Sequence, residues 1–176
     1  QYSAWFGSGA TAVVVGRVAG EYGLLAQSHR ADGSLQKGLV AGVPGHRWYD
    51  DGRVSFYAEK PSLGSQIILT AADMCREVVS EALQRAGVRA EDVTFYASHQ
   101  PAIWFRSTTQ RHAGLTRAAN FDTFADFGSL SAANIPLQLA LASRAGRLSN
   151  GDIVAMFSGG SGITYSASIL VWGHDE

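Results

Sequence analysis

The sequence predicts an α/β protein in which helices flank a layered, mostly parallel sheet. Stretches rich in β-branched residues alternate along the chain with stretches whose apolar residues recur at helical spacing. Gly87 and Gly146 follow the two longest helical stretches, at the position where helices commonly end. Strands that alternate with crossover helices run parallel, whereas the last two predicted strands are joined by a short turn, so the last one is expected to be antiparallel.

Composition restricts the classes of protein to which the chain can belong. Of its 176 residues 46% are hydrophobic, which is enough for a core of two or three layers. With 14 basic and 15 acidic side chains the net charge is −1, so no overall field recruits nucleic acid or an anionic membrane. The chain has no apolar run of about 18 residues to span a bilayer and no signal-peptide pattern. We therefore expect a cytoplasmic protein with neither a nucleic-acid nor a membrane partner.

Cys75 is the only cysteine, which excludes an internal disulfide and a thiol-based zinc site. It lies in the middle of a predicted helix rather than at a turn from strand to helix. We therefore expect a thiol that packs against its neighbours and not a nucleophile.

The N-terminal half of the chain predicts two strands, a long loop and one helix. Residues 11–18 are rich in β-branched residues and follow a glycine-punctuated turn, which predicts a buried strand. A second strand is predicted over residues 24–29. Residues 30–63 carry glycines, prolines and aromatic residues and predict a loop that packs against another segment or serves function. Residues 66–86 predict a helix.

The C-terminal half predicts three further strands that alternate with two helices, and a last strand after them. Residues 93–97 predict a strand that leads into His99, and Pro101 is placed to begin a helix that runs to about residue 113. A short strand over residues 121–124 and a turn over residues 126–129 follow. Ser131 is the expected N-cap of a helix over residues 131–144. The final strands are predicted over residues 153–157 and 163–172.

His99 lies where a strand ends and a helix begins, which is where open α/β sheets place groups that bind ligands. Position alone is equally compatible with a structural or solvated histidine. The other histidines, His29, His46, His112 and His174, form no pair with metal-binding spacing.

A glycine-serine turn over residues 158–162 joins the last two predicted strands. Its backbone N–H groups would be unobstructed, as an oxyanion hole for acyl transfer requires, but a plain hairpin loop has the same composition. A phosphate loop is disfavoured because the turn precedes a strand and lacks the characteristic lysine.

Six short motifs follow one another along the chain, and their order is more specific than any one of them. They are FGSGA at residues 6–10, ADGS at 31–34, SHQPA at 98–102, GSLSAANIP at 128–136, AGRL at 145–148 and GSGITY at 160–165. Together they resemble the C-terminal half of β-ketoacyl-acyl-carrier-protein synthase III and related condensing enzymes of the thiolase superfamily. The resemblance covers essentially the whole chain and implies the C-terminal half of a thiolase-like fold.

The resemblance assigns catalytic roles to three residues. In this family a cysteine of the N-terminal half takes the acyl group as a thioester, and a histidine and an asparagine of the C-terminal half complete the site. His99 falls on the family histidine, and the backbone N–H of Ser161 falls on the oxyanion donor. The family asparagine is replaced by Ser129, a poorer partner for the enolate that forms when a malonyl group loses carbon dioxide. Decarboxylative condensation is therefore in doubt.

The resemblance also implies a substrate surface around these residues. Glycines of the two catalytic loops and one aromatic residue are expected to bind substrate, namely Gly128, Gly160, Gly162 and Trp104. Ala102 and Trp104 stand where relatives often carry an asparagine and an arginine that meet the pantetheine arm or carrier protein. Arg106, one helical step away, is a possible substitute. Trp48 and Tyr49 either wall the pocket or simply pack.

One half of a thiolase-like fold would expose a large apolar face. The chain also opens on Gln1, so we expect a piece of a longer protein. The expected partners are an N-terminal half or subunit that carries the nucleophile, and a second copy of the complete unit in a homodimer. The acyl group would arrive on coenzyme A or an acyl carrier protein as substrate, and no cofactor or metal is expected.

Three functional hypotheses follow. The first is an acyltransferase of the synthase III type that delivers an acyl group to a hydroxyl, amine or carbon acceptor in specialised metabolism. The second is a decarboxylative condensing enzyme of fatty-acid or polyketide synthesis that tolerates Ser129. The third is a non-catalytic subunit that stabilises an active partner.

Overall fold

A five-stranded sheet forms the centre of the structure, a computed structural model that describes residues 5–18, 20, 22–47 and 49–173. The elements, in chain order, are β1 (Gly23–Ala31), β2 (Val40–Gly42), β3 (Ser55–Tyr57), α1 (Pro61–Ala86), β4 (Phe95–Ser98), α2 (Phe105–His112), β5 (Ala119–Asn120), α3 (Phe124–Phe127), α4 (Asn134–Arg144), β6 (Ile153–Gly160) and β7 (Thr164–Val171). Short 3₁₀ helices lie at Gly33–Gly38, Ala90–Asp92 and Ser131–Ala133.

The order of strands in the sheet is β1-β7-β6-β4-β5. β4 runs parallel to β5 and β6, whereas β7 runs antiparallel to both of its neighbours, β6 and β1. All strands except β7 therefore point the same way, and the antiparallel pairing lies at the β1 edge. The predicted α/β fold class is confirmed. β2 and β3 form a separate antiparallel pair.

β4 is buried on both sides because helices cover both faces of the sheet. Tyr96 packs into one core with α1, whereas Phe95 and Ala97 pack into a second core with Ala142 of α4. Neighbouring strand residues point to opposite faces, so the two cores lie on opposite sides of β4. The end of β4 is thereby fixed between two layers.

Both predicted helix-ending glycines are confirmed. Gly87 adopts the left-handed conformation at φ 67°, and the N–H of the next residue, Val88, bonds to the carbonyl of Leu83 at 3.1 Å. Gly146, at φ 66°, ends α4 in the same way. α1 begins five residues earlier than predicted, because Pro61 occupies its first turn and its fixed φ suits that position.

The prediction of a buried strand over residues 11–18 is wrong. These residues are described, yet they pair with no described strand, and Val13, Val14 and Val15 are 67%, 98% and 88% exposed. A β-branched run reports a preference for extended backbone, but a strand also needs a neighbouring edge with which to bond.

Four other sequence predictions need correction. Residues 30–63 form a 3₁₀ helix and the β2–β3 pair rather than one loop, and α2 begins at Phe105 rather than Pro101. The predicted strand over residues 121–124 is wrong, since β5 ends at Asn120 and a helical turn follows. Ser131 is not an N-cap: it lies at φ 51° inside the 3₁₀ helix that precedes α4.

β1, β6 and β7 were all predicted, although the residues at which they begin or end differ somewhat from the predicted ones. Across the described ranges, no helix has both the length and the hydropathy that crossing a bilayer requires.

Two glycines of one 3₁₀ helix provide a test of how closely it packs on α1. A Cβ on Gly38 would lie 2.7 Å from the carbonyl carbon of Leu63 and 2.9 Å from the nitrogen of Gly64, whereas a Cβ on Gly33 would meet nothing within 4 Å. We expect Gly38→Ala to lower the free energy of unfolding by about 1–3 kcal/mol in urea denaturation. Gly33→Ala is the matched control, and an equal loss in both variants would contradict the packing described.

Candidate active site

His99 directly follows β4 and extends the pairing of that strand with β6. Its backbone N–H donates to the carbonyl of Phe157 at 2.9 Å, one step beyond the paired residues Ser98 and Phe157. The backbone of His99 is therefore set by the sheet. Its side chain lies at the carboxyl end of a parallel strand, where α/β proteins bind ligands.

The imidazole of His99 is half-buried and makes two polar contacts. Its Nε2 lies 3.4 Å from Ser129 Oγ, and the ring also hydrogen-bonds the backbone carbonyl of Gly159. Burial lowers the pKa of His99 to about 4, although the Gly159 carbonyl opposes that shift. The ring is neutral at neutral pH, so one nitrogen carries a proton to donate and the other can accept one.

Ser129 is held by the N-terminal segment of the chain. Its N–H donates to the carbonyl of Trp5 at 2.7 Å, and its carbonyl accepts from the N–H of Gly7 at 3.0 Å. This two-sided pairing leaves Ser129 only 1% exposed. The sequence predicted Ser129 beside His99, and the structure brings them together.

Gly128 and Gly7 are required where these two segments meet. Gly128 adopts φ 67°, and a Cβ there would lie 2.9 Å from the carbonyl oxygen of Trp5. A Cβ on Gly7 would collide with the carbonyl oxygen of Phe127. Only glycine allows this close approach of the two backbones.

The turn between β6 and β7 is shorter than the predicted turn over residues 158–162, because β6 continues through Gly160. The tip of the turn is held against the segment that follows β1. Ser161 Oγ donates to the carbonyl of Leu39 at 2.7 Å, and Asp32 and Ile163 exchange backbone hydrogen bonds of 2.9 and 3.2 Å. The hydroxyl of Ser161 thus fixes the tip of the turn against the segment that contains Leu39.

A cavity of about 240 Å³ opens beside His99. Most of its lining is apolar and comes from α1, β3 and the start of α2, and its polar groups are those of His99, Ser131, Ser161 and Tyr165. Gly160 and Trp104 also line it. Such a space suits the apolar parts of a ligand, with a few polar groups to orient it.

The predicted site residues therefore differ in whether they line this cavity. His99, Ser161, Gly160 and Trp104 share the cavity. Ser129 and Gly128 lie behind His99 and are not among the lining residues. Gly162 faces a second cavity of about 380 Å³, on the other side of the turn.

Arg106 is held by a neighbouring carboxylate. Its Nε and Nη2 donate to the two carboxylate oxygens of Asp122, both at 2.7 Å, and its Nη1 donates to Gln110 Oε1 at 2.7 Å. The side chain is 15% exposed, and its suggested contact with a carrier protein stays a prediction.

Only one of the two aromatic residues suggested as pocket walls can be compared with the cavity. Trp48 lies outside the described residues. Tyr49 is 57% exposed, lies against the guanidinium of Arg47 at 5.2 Å and does not line the cavity.

Cys75 is a packing thiol, as predicted. It is fully buried, its Sγ lies 3.4 Å from Tyr96 Oη, and burial raises its pKa to about 12. Within the described ranges, no group of three or more His, Cys, Asp or Glu side chains is placed to hold a metal ion.

Sequence reasoning missed three buried amide side chains around His99, those of Gln100, Asn134 and Gln138. Gln100 Oε1 accepts from the backbone N–H groups of Thr123 and Phe124 at 2.9 and 3.0 Å, and so fixes the segment after β5. The signal that could have found them is a carboxamide in each of two motifs, Gln100 and Asn134, with a third, Gln138, one helical turn after Asn134.

Comparison with known proteins identifies relatives of this chain. The family described as 3-oxoacyl-[acyl-carrier-protein (ACP)] synthase III C terminal matches residues 83–172. A β-ketoacyl-[acyl-carrier-protein] synthase III of Syntrophomonas wolfei is 31% identical over 176 residues, which is 97% of this chain and 52% of that protein.

Solved structures of synthase III proteins have the same fold. The one from Thermus thermophilus is 30% identical with a TM-score of 0.76, over 92% of this chain and 50% of that one. The one from Aquifex aeolicus is 26% identical with a TM-score of 0.74, over 89% and 46%. The chain thus spans about half the length of the relatives it matches.

The environment of His99 predicts an unusual titration. We expect ¹⁵N NMR of the imidazole to give a midpoint near pH 4, against about 6.5 for an exposed histidine.

The same shift makes stability depend on pH, because His99 binds its proton more tightly in the unfolded state than in the folded state. The stability that neutral His99 contributes is therefore complete above about pH 6.5 and lost as the pH falls towards 4. His99→Gln should reduce this acid-side loss. A midpoint near 6.5 would contradict the burial described.

Two glycines with positive φ differ in what a Cβ would cost. Gly146→Ala carries only the conformational cost of a positive φ, about 1–2 kcal/mol, because a Cβ there meets nothing within 4 Å. Gly128, at φ 67° and ψ −162°, adopts a backbone conformation open almost only to glycine, and a Cβ there would also meet the Trp5 carbonyl. We therefore expect Gly128→Ala to destabilise by about 1–3 kcal/mol more than Gly146→Ala in urea denaturation. Equal losses would contradict the close approach of the two segments.

Proposed function

Because this chain belongs to the 3-oxoacyl-[acyl-carrier-protein] synthase III family and matches its C-terminal region, we propose that it supplies the histidine half of an acyltransferase of that type. The acyl group would come from a coenzyme A or acyl-carrier-protein thioester. It would pass through a nucleophile of the other half to a hydroxyl, amine or carbon acceptor in specialised metabolism.

His99 would act on the proton that this transfer has to move. Attack of the nucleophile on the thioester carbon expels a thiolate and leaves an acyl-enzyme. An acceptor hydroxyl or amine that then attacks must lose its proton, and a neutral imidazole can take it. With its pKa lowered to about 4, the ring of His99 is neutral at physiological pH, but it is also a weaker base than an exposed histidine. The N–H of Ser161 would stabilise the oxyanion that forms in each step.

The placement of Ser129 is the observation that favours transfer without decarboxylation. Loss of carbon dioxide from a malonyl group creates an enolate, which needs hydrogen-bond donors in the cavity itself. Ser129 is 1% exposed, its hydroxyl lies 3.4 Å from His99 Nε2, and it is not among the residues that line the cavity. This arrangement supports a role for Ser129 in orienting His99 rather than in binding an enolate.

The names of the relatives favour a second candidate. The synthase III of Syntrophomonas wolfei is named for the formation of a β-ketoacyl product, so a condensing enzyme of fatty-acid or polyketide synthesis is the alternative. A non-catalytic subunit is the third, and it would follow if the other half carries neither cysteine nor serine at the nucleophile position.

We further propose that an N-terminal half packs on this chain and that the complete unit forms a homodimer. Large apolar residues are exposed at several places, including Val14 at 98% and Leu69 at 78%. Exposed apolar surface of this kind is typical of an interface. The half-length match to relatives supports the same proposal.

The central test uses the complete protein and an acyl-coenzyme A. We expect mass spectrometry to detect an acyl-enzyme and His99→Ala to lower transfer to an acceptor by 100-fold or more. His112→Ala is the matched control, because this exposed histidine lies 4.0 Å from Asp73 on another surface and should leave the rate unchanged.

A malonyl thioester separates the remaining candidates. The proposal predicts no release of carbon dioxide above the level of the His99→Ala variant. Release at a rate similar to acyl transfer would overturn it in favour of a condensing enzyme. Absence of acylation by any thioester, with His99→Ala behaving like the wild type, would favour the non-catalytic subunit.

A further inference from the structure

Three buried amide side chains lie close to His99, those of Gln100, Asn134 and Gln138. They are 1%, 0% and 0% exposed. Buried carboxamides are uncommon unless their polar atoms are bonded, so their partners identify what they hold in place.

Asn134, the first residue of α4, bonds to both catalytic segments through one atom. Its Oδ1 accepts from the backbone N–H of Gln100 and from that of Leu130, each at 3.3 Å. Gln100 directly follows His99, and Leu130 directly follows Ser129. Asn134 Oδ1 therefore accepts one hydrogen bond from the residue after His99 and one from the residue after Ser129.

Gln138, one helical turn later, holds the residue on the other side of His99. Its Oε1 accepts from the N–H of Ser98 at 3.2 Å, and its Nε2 donates to the carbonyl of Ser98 at 2.6 Å. The Nε2 also donates to the backbone carbonyl of Asn134 at 3.1 Å. Helix α4 thus holds the backbone both before and after His99.

We propose that Asn134 is a positioning residue that sets the spacing between His99 and Ser129. The inference rests on the proposed function, in which His99 moves the proton of the acyl acceptor. Gln138 fixes His99 relative to α4, but only Asn134 bonds to the Ser129 segment as well. Loss of Asn134 therefore frees one segment to move relative to the other.

The other polar atom of Asn134 supports this role. Among the described residues its Nδ2 has no hydrogen-bond partner, although it is buried. An unsatisfied buried donor costs about 1–3 kcal/mol, so stability alone would not favour an amide here. An aspartate would satisfy the same two N–H groups without the orphan donor, but its charge beside His99 would favour the protonated ring. Asparagine is the residue that accepts both bonds and remains neutral.

The test is a double-mutant cycle in the complete protein, with acyl transfer as the readout. We expect Asn134→Ala to lower kcat by about 10- to 100-fold with KM for the acyl thioester changed less than about threefold, since small misplacements of a catalytic group cost this much. In the His99→Ala background the same change should have little further effect, because Asn134 acts through His99.

Two variants separate positioning from simple loss of stability. Asn134→Asp keeps the acceptor for both N–H groups, and we expect it to retain more activity than Asn134→Ala at equal or lower stability. Tyr96 lies on β4, the strand that leads into His99. Tyr96→Phe removes a buried hydrogen bond of 2.9 Å to Thr109 of α2, and should lower Tm without lowering kcat.

The outcomes distinguish this inference from the proposed function. Loss of activity in His99→Ala together with full activity in folded Asn134→Ala would overturn the inference alone. No effect of His99→Ala would overturn the proposed function. In that case the imidazole ¹⁵N resonances of His99 still decide: a changed titration in Asn134→Ala supports positioning, and an unchanged one overturns it.

Discussion

The carboxyl end of β4 is held from two sides, and the candidate site depends on this. On one side the N–H of His99 bonds to the carbonyl of Phe157, so the pairing with β6 continues past the last residue of the strand. On the other side, Gln138 and Asn134 of α4 bond to the backbone before and after His99. These bonds fix the backbone on both sides of His99, so the position of its half-buried imidazole depends on them.

The remaining parts of the site are placed by contacts between distant segments, and the side chain of Ser129 then meets the imidazole of His99. Ser129 reaches it because glycines allow the Trp5 segment to lie directly against the following loop. Ser161 lines the same cavity as His99, and its hydroxyl donates to the carbonyl of Leu39. The candidate site therefore depends on contacts between segments that are distant in the sequence.

Much of the frame could be predicted from the sequence because local signals specify it. β-branched runs located β4, β6 and β7, and glycines in the left-handed conformation located the ends of α1 and α4. His99, Ser129 and Ser161 were found through ordered motifs. Interactions between distant segments could not be predicted. Whether residues 11–18 pair with another strand depends on a neighbour, and whether Arg106 is available depends on Asp122, sixteen positions away.

The central claim is that His99, and not Ser129, acts on the substrate. The most direct test is a crystal structure of the complete protein with a non-hydrolysable acyl thioester analogue bound. The account predicts the analogue's carbonyl oxygen near the N–H of Ser161, the imidazole of His99 within hydrogen-bond distance of the reacting group, and Ser129 still against His99 and out of contact with the ligand. A hydrogen bond from the Ser129 hydroxyl to the analogue's carbonyl oxygen would contradict it.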